Sequence, residues 1–554
     1  MAGLALLFMV VRLPFRSHFV VNWDAVNFTL GVEAFDLVHH QPHPPGYLGY
    51  IVVARLLSAI TGDPYASLIV FSLVAGAVAP VAYYALARRI LTQRRALVTA
   101  LLFGTSPVVW YYAVVGLSYM PGAALVLVLV WACHVARREG SSRHLVLVAA
   151  LLALLGALRQ TDLALLLPLA WFAARRVPRR GQLLAGGVLL VGTVAWLGPL
   201  LWLAEGPSRY LELSAQLAAI TGGRTWIGSM NVTGMVRNVA LVLAGIAVGL
   251  NVGLVLLAAG RRRGRRPWAS LEGDDRRFML WWVVPSFLVY LLIHTGQLGY
   301  VLLVLPVGFL LVGAAIPAPS PSRRGVLDRL SGWRPAFGRG ALVGVLGIVN
   351  GLGFLLYPQA GVALVAPDAP AQPSEEAQPS ERSLRVVAQY DVRGNDRYWA
   401  EMTETIRRYD PATTAILTQA ANIGSFRPLS YYLPAYQVHG LGRDVRGIYG
   451  HLFVVGEGQD RYEVDGLRSA RTRVELDHDV ETILIPDGDV QQRLRGDLDP
   501  TSHDIWRGTR LFVIRLRPGQ EIQLDPIEEK SGPGLVVVRR ATPEEPPPPP
   551  PDVR

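Results

Sequence analysis

Long apolar runs dominate the first two thirds of this 554-residue chain. A helix that crosses a bilayer needs about 20 apolar residues, because the hydrocarbon core is about 30 Å thick. Only 17% of the residues are charged, against about 25% in soluble domains. The sequence therefore predicts a polytopic α-helical membrane protein with about eleven transmembrane helices. The candidate spans lie near residues 1–14, 66–87, 97–115, 119–136, 144–158, 161–174, 182–204, 234–259, 278–294, 300–316 and 340–357.

Charge is distributed unevenly along the chain. Residues 1–357 carry 30 arginines and 12 acidic residues, whereas residues 358–554 carry 23 basic and 30 acidic residues. Most arginines of the first part flank the apolar runs in groups, and such groups mark cytoplasmic loops. The outer loops are then 16–65, 205–233 and 294–299, so we expect a functional site to face outward. Because the arginines border apolar runs and do not alternate with aromatic residues, nucleic-acid binding is not expected.

Composition divides the chain into a transmembrane domain at residues 1–357 and three later segments. A linker rich in proline, serine and glutamate follows at 358–383. Residues 384–541 predict a small extracytoplasmic α/β domain, and residues 542–554 a proline-rich tail. Within the α/β domain, strands are predicted at 384–389, 414–419, 452–455, 482–485 and 511–516, and an amphipathic helix at 398–409.

The first outer loop contains an early carboxylate. Asn22-Trp23-Asp24 precedes a helical pattern over residues 25–38. Its apolar side includes Phe28, and a narrow polar stripe that includes Thr29 predicts a helix lying in the membrane interface. Two interpretations of Asp24 are open: it caps the helix by accepting amide hydrogen bonds, or it acts as a general base at the membrane surface.

A histidine- and proline-rich stretch follows, with the sequence HHQPHPPGY over residues 39–47. Three histidines within five residues suggest a metal site, but no carboxylate or cysteine stands at ligand spacing. The prolines favour a rigid turn. We therefore expect a structural turn, and neither a metal ion nor another cofactor.

An Asp after the first span, an interfacial helix, the HPPGY turn and a span that ends on ALARR resemble the GT-C superfamily of membrane glycosyltransferases. The resembling branch is bacterial and includes protein O-mannosyltransferases, aminoarabinose transferases and RgtA/B/C/D-like proteins. It covers roughly residues 1–300, and its motifs lie within 23–89. The resemblance implies a polyprenyl-phosphate sugar donor, Asp24 as the catalytic base toward an acceptor hydroxyl, and a place in the bacterial inner membrane. The acceptor is a lipid, a glycan or a protein.

The sequence departs from the superfamily pattern at two places. Ala25 follows Asp24 where protein O-mannosyltransferases often have Glu, so a protein acceptor is in doubt. Many relatives place Arg-Tyr before a late span, and that arginine grips the lipid phosphate; here the stretch reads Gln297-Leu298-Gly299-Tyr300. Another cation must therefore hold the phosphate.

Arg159 is the main candidate for that cation, because an ionisable residue within apolar sequence is costly and is usually functional or paired. The alternative is a structural ion pair between Arg159 and Asp162 at the bend of a hairpin. We also expect His43, Tyr47, His294 and Gln297 to bind substrate. Tyr119 and Tyr300, near span ends, are interpreted as anchors in the aromatic belt.

Two other classes of protein remain open. A lipid or glycan transporter would need polar residues at midplane depth and broken helices, whereas these spans are nearly pure Ala, Leu, Val and Gly. A noncatalytic envelope-assembly protein would use the proline-rich tail and the α/β domain to bind partners. An outward cavity containing both Asp24 and an arginine would favour the enzyme.

Overall fold

The computed structural model forms two compact units. The first is mostly helical and contains residues 2–17, 31–356 and 389–390; the second contains residues 18–30 and 391–543. Residues 18–30 therefore pack with the C-terminal domain, which the predicted division at residue 357 does not anticipate. The predicted linker, 358–383, lies outside the described residues. Those residues are 2–38, 40–222, 232–293, 297–317, 335–356, 389–419, 426–441, 453–455, 473–486, 488–495, 498, 500–506, 509–524 and 536–543.

The helical unit is built from apolar helices that begin and end at charged or small residues. Asp63 caps one of them by accepting a hydrogen bond from the amide of Ala66. The helices are α1 (Ala2–Arg12), α2 (Trp23–Glu33, which continues into the second unit), α3 (Leu48–Thr61), α4 (Pro64–Ile90), α5 (Gln93–Gly104), α6 (Pro107–Val114), α7 (Tyr119–Glu139), α8 (Ser142–Leu158), α9 (Gln160–Ala174), α10 (Arg179–Leu203), α11 (Pro207–Gly222), α12 (Val232–Leu250), α13 (Val252–Arg262), α14 (Gly273–Leu292), α15 (Leu305–Ala315) and α16 (Pro335–Leu356).

Three of the described helices, α4, α7 and α10, are each long and apolar enough to cross a membrane. Two bent pairs, α5–α6 and α12–α13, raise that number to five if each pair is one span. The chain is thus a multi-pass membrane protein. The shorter helices α8 and α9 stand where the sequence predicts a broken hairpin, and the total of eleven crossings stays a prediction.

The two bends share one buried amide. Helices α5 and α6 meet at 53°, and α12 and α13 meet at 84° beside Asn251, whose φ is +42°. The side chain of Asn350 donates to the carbonyl of Leu102 at 2.7 Å and accepts from the amide of Val252 at 3.3 Å. Asn350 is fully buried, so these backbone groups find within the protein the partners that lipid cannot supply.

Arginines that the sequence assigns to the cytoplasmic face meet at one end of the helical unit. Arg137 of α7 donates twice to Asp274 of α14, at 2.6 and 3.1 Å. Arg176, which follows α9, donates to the same carboxylate at 3.1 and 3.2 Å. Arg138 contacts Asp275 at 2.8 Å. This network joins the ends of three helices.

The second unit contains mixed β-sheets and short helices. Its first helix, α17, buries Tyr398, Met402 and Ile406 on one face, at the i, i+4 spacing of a helical stripe. The sheets have the orders β3-β2-β1-β5-β8-β7 and β4-β10-β9-β6, and β1 pairs in parallel with both β2 and β5. The elements are α17 (Gln389–Ile406), β1 (Thr414–Gln419), α18 (Phe426–Tyr432), β2 (Gln437–Leu441), β3 (Phe453–Val455), β4 (Arg473–Leu476), β5 (Thr482–Ile485), α19 (Gly488–Gln492), β6 (Leu494–Arg495), β7 (Thr501–Asp504), β8 (Arg510–Arg515), β9 (Glu521–Leu524) and β10 (Val536–Arg540).

The predicted elements of this domain are largely present. The strands expected at 414–419 and 482–485 are β1 and β5, and the helix expected at 398–409 is the second half of α17. The strand expected at 384–389 lies outside the described residues, apart from Gln389, which begins α17.

Candidate active site

The break between α8 and α9 places an arginine inside the helical unit. Arg159 stands between the two helices with φ −151° and ψ 95°, an extended conformation that ends α8. Its Nε donates to Asp162 Oδ2 at 3.0 Å, and its Nη1 donates to Ser118 Oγ at 2.8 Å. Both members of the ion pair are 7% exposed. The pair proposed as the structural alternative is thus present, and it orients the guanidinium.

Tyrosine rings surround this guanidinium. The Cζ atom of Arg159 lies 4.4 Å from the ring of Tyr119 and 5.8 Å from that of Tyr300, within the range of cation–π attraction. The rings of Tyr119 and Tyr300 are 5.5 Å apart, and Tyr290 lies 5.3 Å from Tyr300. Tyr119 is only 7% exposed. Its interpretation as an aromatic-belt anchor is therefore wrong, because its ring packs inside the protein around the cation.

The guanidinium keeps hydrogen-bonding capacity beyond its two partners. Arginine carries five N–H donors, and within the part of the chain that the structure describes, Arg159 bonds only to Asp162 and Ser118. The Nη2 atom therefore has no described acceptor. An anion that reached this edge would receive charge-assisted hydrogen bonds, which are stronger than neutral ones.

Two glycines allow the close packing of the arginine and tyrosines. A Cβ atom at Gly122 would lie 2.8 Å from Arg159 Cδ, and one at Gly299 would lie 2.6 Å from Tyr119 Cγ. Any side chain at either position would displace the cluster. Gly299 occupies the place where the superfamily pattern has arginine, so the packing of Tyr119 excludes an arginine there.

The HPPGY turn is tied to the residue that follows Arg159. The carbonyl of Pro45 accepts a hydrogen bond from Gln160 Nε2 at 3.0 Å. Tyr210 of α11 donates to Gln160 Oε1 at 2.8 Å. The amide of Gly46 donates to the carbonyl of His43 at 3.1 Å, so the predicted turn is present.

This turn brings two predicted substrate-binding residues together. The rings of His43 and Tyr47 are 5.1 Å apart in an edge-to-face arrangement. Tyr47 has a left-handed φ of +46° at the start of α3. Because Pro45, between His43 and Tyr47, accepts a hydrogen bond from Gln160, the residue after Arg159, the turn lies near the arginine cluster.

Asp24 lies on the segment that packs with the second unit. Helix α2 begins at Trp23, and Asn22 Oδ1 accepts from the amide of Ala25 at 3.0 Å. Asn22 is therefore a capping residue of α2, a role that the sequence analysis considers for Asp24. Asp24 is partly exposed in the first helical turn, where the helix dipole stabilises a negative charge.

Helix α2 is shorter and more buried than predicted. It ends at Glu33, not near residue 38, because Asp36 and Gln41 instead form a β-bridge. Thr29 is fully buried, and its hydroxyl donates to the carbonyl of Ala25 at 2.8 Å within the helix. The predicted polar stripe is therefore not exposed along its whole length.

The remaining predicted site residues lie in the late outer turn. His294 lies outside the described residues. Gln297 directly precedes the 3₁₀ helix Leu298–Leu303, which carries Tyr300. Ser118, Gln160 and Tyr210 could not be predicted from the sequence, because a hydroxyl, an amide and a phenol have no signature until the fold brings them together.

Among the described residues, one group has the spacing of a metal site. Asp477, His478 and Asp479 place their ligand atoms within 4.8 Å of one another. The His478 ring already contacts both carboxylates, at 2.7 and 3.2 Å. The three residues form a surface turn of the second unit.

Comparison with known proteins agrees with this architecture. Residues 43–202 match the family model for dolichyl-phosphate-mannose-protein mannosyltransferases. ArnT from Cupriavidus metallidurans, bound to undecaprenyl phosphate, aligns over 93% of this chain and 97% of its own, with 15% identity and a TM-score of 0.50. The apo state of the same protein gives a TM-score of 0.48 with 14% identity, over 93% of this chain and 96% of its own.

A more distant match is the archaeal oligosaccharyltransferase AglB from Archaeoglobus fulgidus, in complex with an inhibitory peptide and a dolichol-phosphate. It has 11% identity and a TM-score of 0.36, over 89% of this chain and 70% of its own. A comparison with curated protein sequences found no match.

The long apolar helices and the sheets define a multi-pass membrane protein with a C-terminal domain that contains β-sheets. Its resemblance to the GT-C superfamily of membrane glycosyltransferases, predicted from the sequence, is confirmed by the family match and by the ArnT fold.

Proposed function

We propose that this protein is a glycosyltransferase that moves a sugar from a polyprenyl-phosphate donor to an acceptor hydroxyl at the outer face of a bacterial inner membrane. The observation that carries the proposal is the fold likeness to ArnT over nearly the whole of both chains. That protein binds undecaprenyl phosphate. The proposed topology places the C-terminal domain outside the cytoplasm.

Arg159 is proposed to hold the phosphate of the donor. Its guanidinium is buried and already oriented by Asp162, and its Nη2 atom has no acceptor among the described residues. The resemblance to the GT-C superfamily implies a phosphate-binding arginine before the late tyrosine, and Gly299 stands at that place. Tyr119 packs against both Gly299 and the guanidinium of Arg159. Arg159 therefore supplies a positive charge close to the position where the superfamily pattern has an arginine.

Asp24 is proposed to be the general base. Its carboxylate would take the proton of the acceptor hydroxyl while that oxygen attacks the anomeric carbon of the sugar. The bond between that carbon and the phosphate oxygen breaks, and its electron pair stays on the departing polyprenyl phosphate. Attack from the opposite face inverts the anomeric centre. Fixed donors in a site of low dielectric stabilise the charge that develops on the leaving group.

The substrate-binding roles proposed for His43, Tyr47, His294 and Gln297 complete the site. The turn with His43 and Tyr47 is bonded through Pro45 to Gln160, the neighbour of Arg159. Gln297 precedes the helical turn with Tyr300, whose ring lies 5.8 Å from the guanidinium. Hydroxyls of a sugar next to the phosphate would find donors and acceptors on both turns.

A transporter is the principal rival, since the 84° break between α12 and α13 is a feature of transport proteins. At this break Asn251 Nδ2 donates to the backbone carbonyl of Asn350, and Asn350 Oδ1 accepts from the amide of Val252. These polar groups bond to the protein itself, which favours a structural role for the break over a substrate site.

The test uses purified full-length protein, radiolabelled polyprenyl-phosphate sugars and cell-envelope fractions as the acceptor. Wild-type protein should label one fraction. Asp24→Asn should lower transfer by about 100-fold or more, with unchanged expression. Glu33→Gln, an exposed substitution on the same helix, is the matched control and should retain activity. Full activity of Asp24→Asn would exclude Asp24 as the base, and donor movement across vesicles without transfer would favour the transporter.

A further inference from the structure

The chain segment in front of Asp24 is bonded to side chains of the C-terminal domain. The amides of His18 and Phe19 both donate to the carboxylate of Asp396 on α17, at 2.9 and 3.0 Å. Hydrogen bonds to an ionised acceptor are about twice as strong as neutral ones. One carboxylate therefore fixes two successive peptide units.

The next residue is held on both sides of its backbone. The amide of Val20 donates to Tyr432 Oη at 2.7 Å, and its carbonyl accepts from Asn395 Nδ2 at 3.1 Å. The ring of Phe19 packs edge-to-face on Tyr432, with centroids 5.0 Å apart. The path of residues 18–20 is thus set by the C-terminal domain.

Arg427 of α18 continues this attachment onto α2 itself. Its Nη1 donates to Asn27 Oδ1, and its Cζ lies 4.7 Å from the ring of Trp23. Trp23 and Asn27 are four residues apart and share one face of the helix. Arg427 and Asn27 are almost completely buried, so the guanidinium can keep its charge there only with good partners.

The Asp24 carboxylate lies next to the face of α2 that Arg427 contacts. Asp24 follows Trp23 by one residue, or about 100° around the helix, and it remains partly exposed. The helical turn that carries Asp24 is therefore fixed through its neighbours Trp23 and Asn27.

We propose that Arg427 and Asp396 are positioning residues, through which the C-terminal domain holds the first turn of α2 and so fixes the Asp24 carboxylate for catalysis. This inference rests on the proposed function. It makes the C-terminal domain a required part of the transferase. Misplacing a catalytic group by about 1 Å costs about 100-fold in rate, so a modest loosening of this turn is enough to slow transfer.

The first measurement does not depend on activity. Hydrogen exchange of residues 18–30 is compared in full-length wild-type, Arg427→Gln and Asp396→Asn proteins in lipid nanodiscs. Exchange in this segment should rise about tenfold in both variants, which corresponds to about 1.4 kcal/mol. Arg397→Gln is the matched control, because Arg397 is an exposed neighbour on α17 that pairs with Glu401. Unchanged exchange in folded variants would overturn the inference.

The second measurement is transfer of the labelled sugar. In both variants kcat should fall by about 10- to 100-fold while the KM for the donor stays within about twofold. Arg427→Lys should recover part of the loss, since it keeps an N–H donor for Asn27. In the Asp24→Asn background, Arg427→Gln should cause no further loss, because the carboxylate that it positions is gone.

The outcomes separate two failures. Loosened exchange with full transfer would overturn the positioning role while the proposed function stands. A wild-type protein without transfer would overturn the proposed function and the catalytic part of this inference, and the exchange result would still decide whether the attachment exists. Asp396→Asn keeps the test decisive if the buried Arg427→Gln variant fails to fold.

Discussion

Arg159 and Asp162 form a buried ion pair across the first turn of α9, with Nε and Oδ2 3.0 Å apart. A buried pair is weak evidence for stability, because the desolvation of two charges offsets much of their attraction. Removing one partner nevertheless leaves an uncompensated charge. Substitutions of Arg159 and of Asp162 are therefore expected to have different effects on transfer.

Arg159→Lys should lower transfer by about 100-fold, because an ammonium lacks the planar fork that holds Asp162 and a phosphate together. Its donor KM should rise. Asp162→Asn should disturb the orientation of the guanidinium while leaving its charge, so a smaller loss of about tenfold is expected. The check is transfer kinetics at varied donor concentration. Equal activity of wild type and Arg159→Lys would leave the pair with a structural role alone.

Gly122→Ala should also disturb the Arg159–Asp162 pair, because Gly122 of α7 packs against both residues. The new Cβ would lie 2.8 Å from Arg159 Cδ and 3.3 Å from Asp162 Oδ2, and overpacking typically costs about 1–3 kcal/mol. Reduced thermal stability and reduced transfer are expected.

Gly187→Ala on α10 is the matched control, since a Cβ there meets nothing within 4 Å. It should leave stability unchanged or raise it, because alanine is the better helix former by about 1 kcal/mol. Equal stability of Gly122→Ala and Gly187→Ala would show that Arg159 and Asp162 can move to accommodate the extra methyl group.

Local chemistry made part of the site predictable. Arg159 and Asp162 are three residues apart in apolar sequence, so both the pair and the bend could be expected. The prolines of the HPPGY stretch likewise indicated the turn over 43–47. Such features depend on residues that are close together in the sequence, so they can be predicted from one sequence alone.

Other features depend on partners far apart in sequence. Arg427 and Asn27 are 400 residues apart, and no pattern in either segment indicates the contact. Tyr119 stands at a span end, where aromatic belts are common, and only the packed structure shows its ring against Arg159. Asn22 and Asp24 are both good capping residues, so the sequence alone could not choose between them.

Asn350→Leu should destabilise the helical unit. The substitution removes the donor to the Leu102 carbonyl and the acceptor for the Val252 amide. Each unsatisfied buried group costs about 1–3 kcal/mol, so a loss on the order of 3 kcal/mol is expected in detergent unfolding. Ile348→Leu, at an exposed position on the same helix, should behave as wild type. Equal stability of the two variants would mean that water reaches the bends.

His439 should make the C-terminal domain sensitive to acid. It lies in β2, opposite Leu417 of β1, and within the described residues neither ring nitrogen has a hydrogen-bond partner. Burial lowers the pKa of His439 to about 4, whereas an unfolded histidine titrates near pH 6.5. Between these values the unfolded chain binds the extra proton. Stability from this residue is therefore complete above about pH 6.5 and is lost as the pH falls toward 4.

At pH 5 the expected loss is about 2 kcal/mol, or about 30-fold in the protection of β1 and β2 amides from hydrogen exchange. Exchange of the full-length protein at pH 7.5 and pH 5, corrected for intrinsic rates, measures it. His439→Leu should remove most of the difference, because an apolar side chain has no proton to bind. His144→Gln, which lies at the start of α8 in the helical unit, should keep the wild-type response. A variant without His439 that loses protection as steeply as wild type would assign the acid sensitivity to other groups.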